Sequence, residues 1–543
     1  MGSAVLFLAA LLGRTFYVQV VAASELASQA DVQSLRTVLV SAPRGVISDR
    51  EGDLLAVSQE MVSIYANPRQ IKDPQGAATA LASLLDVPKD ILLTKLSCDA
   101  GFRYLARKVD PEIGTKVKAL KLDGVGVCNE AKRVYPKGAL APQLLGFVGG
   151  DHDQGLAGLE LQYDKVLSGQ PGEIRVVSSR EGRWLATVSA KDPVPGKPLV
   201  LTVDADIQFE TERVLAETVK EFGAARACAV VLDPQTGEIL AMANTPVFDA
   251  NEFASPDIAE SDRRNMVVTD QYEPGSIFKV VTVAAALDAQ ILTPQTVFRL
   301  EKQIQVYDMP VPEAEEENLP EIRELTVTQI LARSSNVGTV KIALELGKSR
   351  LINMIDQFGF GKPLGVDFPG EVGGYVRPPE KWYGTTIARV PLGQGVAVTP
   401  LQMAAAYAAL ANDGVLIQPH LAKDLVEPWR RQVVTAGVAR QLREMLTVTV
   451  EDGTGRLARV EGYTVAGKTG TAQKVRPEGG YYADRVVASF VGMIPAREPR
   501  VVILVTVDEP TKEHWGAYVA APAFARIAEF AMQHLDVPPD AAQ

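Results

Sequence analysis

The pattern of hydrophobic and polar residues changes at a Pro- and Gly-containing segment, residues 191–198. Before it, short strand-like and helix-like stretches alternate with Pro and Gly breaks, and Val46-Ile47 followed by the Asp49–Gly52 turn predicts a hairpin. After it, apolar runs are longer and more regular. They predict strands at 199–203, 227–233, 238–243, 463–470, 486–494 and 501–507, and helices at 207–222, 326–333, 399–412, 438–450 and 519–534.

The order of these elements indicates the fold class. An opening strand, helix and hairpin, with Val-rich strands at the end of the chain, predict a single sheet that is at least partly antiparallel and flanked by helices. We therefore expect an α/β fold of the α+β type over residues 199–543, in which a mainly helical middle packs on the sheet. Residues 24–198 bring together no acid, base and nucleophile, so we interpret them as an elongated α+β pedestal that has a structural or docking role.

The first 23 residues are predicted to be a membrane anchor. Residues 4–23 are apolar apart from Arg14, Thr15 and Gln19, but only about ten apolar residues precede Arg14, whereas a spanning helix needs roughly twenty. We interpret them as the outer part of an anchor whose inner half lies upstream. A signal peptide cleaved after Ala23 is the alternative, and it lacks the usual positively charged start.

Composition disfavours several kinds of partner and chemistry. The chain is 47% hydrophobic and 22% charged, and its net charge of -11 disfavours a nucleic-acid partner, because phosphate binding needs a basic surface. Its four histidines stand in no metal-ligand spacing, which disfavours both zinc and Ser-His-Asp catalysis. Cys98 and Cys128 are compatible with a disulfide in an exported domain and equally with two free buried thiols.

The candidate nucleophile lies in Glu273-Pro-Gly-Ser-Ile-Phe-Lys279. An apolar helix follows Pro274 and Gly275, so Ser276 is predicted at a helix start, with Lys279 about one turn further on the same face. A lysine in such apolar surroundings has a lowered pKa and can serve as a base for a neighbouring serine. The simpler alternative is a helix-capping serine beside a lysine whose amine reaches solvent.

Two further segments offer partners for this serine. Ser334-Ser-Asn336 stands where an amphipathic helix stops and can present a hydroxyl and an amide to a cleft, although plain helix termination gives the same pattern. Lys468-Thr-Gly-Thr471 lies on an apolar strand, where Gly470 allows a substrate backbone to approach closely. Lys468 supplies positive charge there, and Thr469 and Thr471 supply donors for a carboxylate.

Two other motifs have competing interpretations. Gly462–Thr469 matches the phosphate-binding pattern G-x-x-x-x-G-K-[ST], but no helix follows Lys468, so we disfavour nucleotide binding. The acidic run Glu313-Ala-Glu-Glu-Glu317 is predicted to be a solvated loop and not a metal site.

The ordered set Ser-x-x-Lys, Ser-x-Asn and Lys-Thr-Gly resembles that of the penicillin-recognising serine transpeptidases. The resemblance extends over nearly the whole chain and is closest to the class B penicillin-binding proteins, in particular their division-specific, septal branch. Ile277 stands where the family usually has threonine, and Gly516-Ala517 where Gly-Gly is common. The matching segments are Arg44-Gly-Val-Ile-Ser-Asp-Arg50, Arg133-Val-Tyr-Pro136, Gly158-Leu-Glu160, Tyr272-Glu-Pro-Gly275, Ser334-Ser-Asn-Val-Gly338 and Ala466-Gly-Lys-Thr-Gly-Thr-Ala-Gln473.

The resemblance implies a serine D,D-transpeptidase that cross-links peptidoglycan stem peptides through an acyl-enzyme on Ser276, without a cofactor or a metal. It implies catalytic roles for Ser276, Lys279, Ser334 and Lys468. It implies substrate-binding roles for Asn336, Thr469, Gly470 and Thr471, and it makes β-lactams inhibitors. An elongation-specific transpeptidase, a β-lactamase and a non-catalytic division scaffold are the alternatives.

The resemblance also implies partners and a location. It places the chain in the bacterial inner membrane as a single-pass protein, with the catalytic domain on the periplasmic side at the division septum. The pedestal and anchor would then contact a membrane-embedded septal glycosyltransferase and other division proteins.

Overall fold

The N-terminal segment is one long exposed helix. The computed structural model describes residues 2–22, 35–150, 153–178, 184–314 and 320–541. An α-helix spans Gly2–Phe16 and continues as a π-helical turn over Tyr17–Val21. By length and composition, this helix of 20 residues is able to cross a membrane. The helix continues through Arg14 and Gln19, and the alternative cleavage site after Ala23 lies outside the described residues.

Within the described residues, the pedestal contains two larger sheets, accompanied by a two-stranded pair of Val148–Gly149 with Gln154–Gly155. The longer one is built around the strand Leu54–Ala66, which pairs antiparallel with Ile47–Ser48, Arg103–Val109 and Val125–Val134. The first of these pairs confirms the predicted hairpin. A second, antiparallel sheet has the order Leu35–Val40, Gly172–Ser178, Trp184–Lys191. The pedestal helices are Pro74–Leu85, Lys89–Ser97, Pro111–Ala119, Pro142–Leu145, Gly158–Gln162 and Asp164–Leu167.

A buried ion network stabilises the pedestal. The Glu160 carboxylate, which is not exposed at all, accepts hydrogen bonds from Arg44 (Nη2, 2.8 Å) and from Arg133 (Nε, 2.6 Å). Arg44 also contacts Asp164 at 2.7 Å. Three of the segments that carried the family resemblance therefore meet here and have a structural role, because a buried carboxylate needs such partners.

The second unit is organised around the central sheet, which has five strands within the described ranges. Its order is Ile239–Thr245, Arg226–Leu232, Val501–Asp508, Tyr481–Ile494, Ala466–Val475, and each neighbouring pair is antiparallel. Every residue of Val501–Asp508 is buried, because helices cover both faces of the sheet. The sheet thus joins early and late strands, as the sequence predicted.

Alternate side chains of one central strand enter two different cores. Cys228, Val230 and Leu232 belong to the core that contains the candidate nucleophile helix. Ala227, Ala229 and Val231 point the other way, toward helices Ala205–Phe222 and Gly516–His534. Burial on both faces explains why these strands read as continuous apolar runs in the sequence.

One predicted strand is placed differently. The strand expected at 199–203 is only Leu199–Val200, and it pairs parallel with Ile47–Ser48 of the pedestal instead of entering the central sheet. This pairing connects the two units. The remaining helices of the second unit are Met266–Thr269, Lys279–Asp288, Val327–Ala332, Asn336–Leu346, Lys348–Phe358, Thr386–Arg389, Pro400–Ala411 and Ala436–Glu451. Its smaller hairpins pair Val297–Glu301 with Ile322–Thr326, Gln303–Val306 with Met309–Pro312, Tyr375–Val376 with Val396–Ala397, and Val415–Ile417 with Arg430–Gln432.

The cysteines, all three of which lie in the described part of the chain, are free thiols. Cys98 and Cys128 are both half-buried, and their sulfurs contact the carbonyl oxygens of Lys95 and Ser63 respectively. Of the two possibilities for this pair, the structure has free thiols.

Candidate active site

Ser276 lies within a tight helical turn at the start of an apolar helix. Residues Gly275–Phe278 form one 3₁₀ turn, and the α-helix Lys279–Asp288 continues directly from it. The residue that precedes the turn is Pro274, which has no capping side chain. The capping alternative for Ser276 is therefore wrong, since the serine lies one residue inside the turn and not at its N-cap.

This turn packs against the edge strand that carries the Lys-Thr-Gly motif, Ala466–Val475. Gly275 has φ +57°, and a Cβ built on it would stand 3.2 Å from the Thr471 carbonyl oxygen. A Cβ on Gly470 would stand 3.1 Å from the Pro274 carbonyl oxygen. The positive φ of Gly275 and the Ser489 Oγ, which would stand 2.5 Å from a Cβ on Gly470, favour glycine on both sides of the contact, so the Ser276 turn can lie close to the strand.

The Lys279 side chain is completely buried and contacts the Ser-x-Asn motif. Its Nζ donates to the Ser334 carbonyl oxygen at 2.6 Å and to Asn336 Oδ1 at 2.7 Å, and it lies 3.3 Å from Ser334 Oγ. Burial lowers the pKa of Lys279 to about 7, although the negative charge of Glu313 opposes that shift. A lysine with such a pKa is available as a neutral base near neutral pH.

The Ser-x-Asn motif is a sharp bend between two helices. Val327–Ala332 ends just before it and Asn336–Leu346 begins within it, with Ser335 as N-cap through a 3.0 Å hydrogen bond from Gly338 N to Ser335 Oγ. Ser334 has φ +58°, a left-handed conformation that is uncommon for serine. This conformation turns both the carbonyl oxygen and the hydroxyl of Ser334 toward Lys279.

Lys468 is the second fully buried lysine of the site. Burial, assisted by the nearby positive charge of Lys279, holds the pKa of Lys468 well below its usual value. Its Nζ lies 3.1 Å from the Thr469 carbonyl oxygen. Because Lys468 lies inside a strand and not at a strand-to-helix turn, the phosphate-loop interpretation is excluded.

The two threonines of this strand have partners in the structure. The Thr469 hydroxyl lies 2.9 Å from the Thr454 hydroxyl, and the Thr471 hydroxyl accepts a 3.0 Å hydrogen bond from Gly516 N. A Cβ on Gly516 would stand 2.3 Å from the Gly470 carbonyl oxygen, so glycine is required there. The departure from Gly-Gly noted in the sequence thus falls at Ala517, the position that does not need glycine.

The structure therefore unites the motifs that sequence reasoning selected. Lys279, Ser334 and Asn336 are in direct contact, the positive charge of Lys279 acts on Lys468, and the Ser276 turn lies against Gly470 and Thr471. Ile277 is fully buried, and its carbonyl oxygen accepts a 3.0 Å hydrogen bond from the Tyr407 hydroxyl. Tyr407 therefore supports the turn that carries Ser276, and no sequence motif indicated this role.

The solvated-loop prediction is wrong for Glu313. This residue is only 6% exposed, and its carboxylate accepts hydrogen bonds from the Ser335 hydroxyl and from the backbone N–H of Asn336. The rest of the acidic run, Glu315–Glu317, lies outside the described residues. The charge pattern concealed Glu313, because a run of acidic residues usually marks a solvated surface.

One group of potential metal ligands exists in the described ranges, at Asp204, Asp206 and His534. Asp204 Oδ1 caps the helix Ala205–Phe222 by accepting from Asp206 N and Ile207 N, and Asp204 Oδ2 lies 3.0 Å from His534 Nε2. Both carboxylate oxygens of Asp204 thus have partners within the protein. We assign this group a helix-capping role.

Comparison with known proteins identifies the family. The model of the penicillin-binding protein transpeptidase domain matches residues 227–529, and that of the penicillin-binding protein dimerisation domain matches residues 39–201. The chain therefore belongs to the penicillin-binding protein transpeptidases, and the dimerisation domain places it in class B. It is a serine-type transpeptidase, as the sequence motifs predicted, and its fold is the one expected from the resemblance.

Individual relatives cover the chain almost completely. Peptidoglycan D,D-transpeptidase FtsI of Escherichia coli K12 is 34% identical over 99% of this chain and 92% of its own length. Penicillin-binding protein PbpB of Mycobacterium tuberculosis is 36% identical over 99% of this chain and 85% of its own length. The crystal structure of penicillin-binding protein 3 from M. tuberculosis complexed with ampicillin is similar with a TM-score of 0.73 and 31% identity, covering 93% of this chain and 98% of that one.

Proposed function

We propose that this protein cross-links peptidoglycan stem peptides during septal cell-wall synthesis through an acyl-enzyme on Ser276. The observation that carries this proposal is the contact of the buried Lys279 amine with Ser334 and Asn336, one helical turn from Ser276. The names of the relatives, which include peptidoglycan D,D-transpeptidases, support the substrate class.

The contacts of Lys279 suit a general base. A neutral amine has two N–H donors and one lone pair. The Ser334 carbonyl oxygen and Asn336 Oδ1 take the two donors at 2.6 and 2.7 Å, so the lone pair is left to accept a proton. With its pKa at about 7, a large fraction of Lys279 is neutral at neutral pH.

In the first half-reaction, Lys279 takes the proton of the Ser276 hydroxyl while Ser276 Oγ attacks the carbonyl carbon of the penultimate D-Ala. The N–H groups of Ser276 and Thr471 stabilise the oxyanion, each contributing ~3 kcal/mol in the transition state. The peptide bond to the terminal D-Ala then breaks. Ser334 relays the proton to the leaving amine, with Lys468 nearby.

In the second half-reaction, the amine of a neighbouring stem peptide attacks the ester carbonyl and gives up a proton to Lys279. Lys279 returns a proton to Ser276 Oγ as the ester bond breaks. Before the first half-reaction, Asn336 holds the amide of the donor peptide, Thr469 and Thr471 bind its terminal carboxylate, and Gly470 lets its backbone approach the strand. The reaction involves neither a cofactor nor a metal, and a β-lactam follows the first half-reaction and leaves a slow acyl-enzyme.

The location and partners follow from the same assignment. The helix Gly2–Val21 anchors the chain in the inner membrane as a single pass, with the catalytic domain on the periplasmic side. The anchor covers residues 1–23, the pedestal 24–198 and the transpeptidase domain 199–543. The pedestal and anchor contact a membrane-embedded septal glycosyltransferase and other division proteins.

In labelled cells the protein should accumulate at midcell, and labelling along the side wall would favour the elongation branch instead.

Acylation by a penicillin tests the chemistry directly. Intact-mass and peptide mass spectrometry should locate a penicilloyl adduct on Ser276 in the wild-type protein, and Ser276→Ala should abolish it. An adduct that survives Ser276→Ala would refute the assignment, and absence of any wild-type adduct would favour a non-catalytic scaffold. Rapid turnover of a chromogenic cephalosporin would favour a β-lactamase.

A further inference from the structure

Glu313 is a buried carboxylate that accepts hydrogen bonds from two residues of the Ser-x-Asn motif. It follows the strand Met309–Pro312 and is 6% exposed. Its Oε1 accepts from the Ser335 hydroxyl at 2.5 Å and its Oε2 from the Asn336 backbone N–H at 2.8 Å. Arg323, on the strand Ile322–Thr326, forms an ion pair with the same carboxylate. Burying this charge without partners would be unfavourable, so these contacts define its position.

The contact with Ser335 fixes the direction of a hydroxyl. Ser335 Oγ also accepts the 3.0 Å hydrogen bond from Gly338 N that caps the helix Asn336–Leu346. A hydroxyl has a single proton, and because Glu313 accepts it, a lone pair of Ser335 Oγ remains for Gly338. The Glu313 carboxylate therefore fixes the N-cap residue Ser335 through its hydroxyl. It also fixes Asn336, the first residue of the helix, through its backbone N–H.

The residue before Glu313 sets the orientation of the Asn336 amide. Asn336 Nδ2 donates to the Pro312 carbonyl oxygen at 3.1 Å, which leaves Asn336 Oδ1 directed at Lys279 Nζ, 2.7 Å away. Pro312 and Glu313 together hold Asn336 at its side chain and at its backbone. The left-handed Ser334, φ +58°, lies next to these fixed points and is constrained by them.

We propose that Glu313 is a positioning residue of the transpeptidase reaction, which holds Ser334, Ser335 and Asn336 in the conformation that presents Ser334 O and Asn336 Oδ1 to the Lys279 amine. This inference rests on the proposed function of Ser276 and Lys279. It gives the hairpin Gln303–Pro312 a role in the site, since this hairpin places the Pro312-Glu313 segment against the Ser-x-Asn motif.

The charge of Glu313 also acts on the base. The negative charge of Glu313 raises the pKa of Lys279, and Arg323 weakens that effect by pairing with Glu313. Lys468 also lies near this amine, and the charge of Lys279 lowers the pKa of Lys468. Removing the charge of Glu313 therefore lowers the pKa of Lys279 further below about 7. The acid limb of an acylation profile should then move to lower pH. A purely structural role would leave that limb in place.

The experiment measures the second-order rate of acylation by a fluorescent penicillin across pH for wild type, Glu313→Gln and Glu313→Asp. Glu313→Gln places an NH₂ group against one of the two donors, the Ser335 hydroxyl or the Asn336 N–H. We therefore expect the acylation rate on the high-pH plateau to fall by about 10- to 100-fold, and the acid limb of the profile to move to lower pH. Glu313→Asp keeps the charge and should retain the wild-type acid limb with a smaller loss of rate.

The matched control is Glu371→Gln. Glu371 is another carboxylate that holds a loop, accepting from the backbone N–H groups of Leu364, Gly365 and Val366, and none of these contacts involves a residue of the three motifs. Glu371→Gln should lower the melting temperature without changing the acylation rate of the folded protein or its pH profile.

A further variant protects the test against misfolding of Glu313→Gln. Arg323→Gln leaves Glu313 in place but removes its counter-charge, so the acid limb should move in the opposite direction, to higher pH.

The proposal is overturned if Glu313→Gln, or Arg323→Gln where the former does not fold, acylates with the wild-type rate and profile. It is also overturned if the rate falls only in proportion to the folded fraction. A wild-type protein without an adduct on Ser276 would overturn the proposed function as well, whereas a normal wild-type adduct confines the failure to Glu313.

Discussion

Gly393 lies so close to Gly275 that a Cβ built on Gly393 would stand 2.3 Å from the Gly275 carbonyl oxygen and 2.6 Å from its nitrogen. The Gly275 N–H in turn donates to the Gly393 carbonyl oxygen at 3.2 Å. Two backbones thus touch directly behind the turn that carries Ser276. Any side chain at Gly393 must displace this turn, because the obstacle is backbone and cannot rotate away.

Gly393→Ala should therefore lower the acylation rate by about 10-fold or more, since a displacement of the nucleophile of about 1 Å has effects of this size. Gly395→Ala is the control, because Gly395 has a similar φ of +71° and no atom near its missing Cβ. Both variants should lose about 1–2 kcal/mol of stability from the left-handed conformation. Fluorescent-penicillin acylation and thermal unfolding measure the two effects, and equal acylation of the two variants would contradict the prediction.

Lys279 should control the pH dependence of acylation. The base must be neutral, so the rate should rise as pH increases through about 7, the pKa that burial gives to Lys279, and level off above it. Lys279→Ala should fold and lose about 10²- to 10⁴-fold in rate. Lys474→Ala is the control: this lysine lies on the same edge strand as Lys468, pairs with Asp508 and Glu509, and should leave the rate nearly unchanged. Near-normal acylation of Lys279→Ala would rule out Lys279 as the base.

The sequence predicted most of the central sheet because its strands are buried on both faces and therefore read as continuous apolar runs, of which Val501–Asp508 is the clearest. It misplaced the strand at 199–203, because the hydrophobic pattern of Leu199–Val200 does not say which sheet the strand joins. Strand pairing is decided by tertiary contacts.

The same limit applies to the site. Ser276, Lys279, Ser334 and Asn336 were found because their residue types stand in a specific order. Glu313 was missed because its role depends on its burial, which an acidic run conceals. Gly393 was missed because the sequence does not reveal that it faces Gly275. Supporting residues of this kind contact the motifs that carry the reactive groups, and they do so from elements that are distant in sequence.

The buried network of the pedestal should make a large contribution to its stability. Glu160→Gln leaves the guanidinium groups of Arg44 and Arg133 without their shared counter-charge, and breaking a buried pair in this way costs about 3–5 kcal/mol. Calorimetry should show an earlier unfolding transition for the pedestal. Asp452→Asn, which removes an exposed partner of Arg456, should change the transition little. An unchanged transition in Glu160→Gln would contradict the structural role of the network.

Glu212 connects the two units and should make their stability depend on pH. Its Oε1 accepts from the Ala141 N–H of the pedestal at 2.9 Å and from Gln208 Nε2 at 2.8 Å, and burial raises the pKa of Glu212 to about 8. The folded state therefore holds a proton that the unfolded state releases between about pH 4.5 and 8, so this residue makes the protein less stable as pH rises through that window. Glu212→Gln should flatten the dependence of melting temperature on pH, whereas Glu221→Gln, an exposed change at the end of the same helix, should not. A wild-type slope in Glu212→Gln would show that Glu212 is ionised in the folded protein at neutral pH.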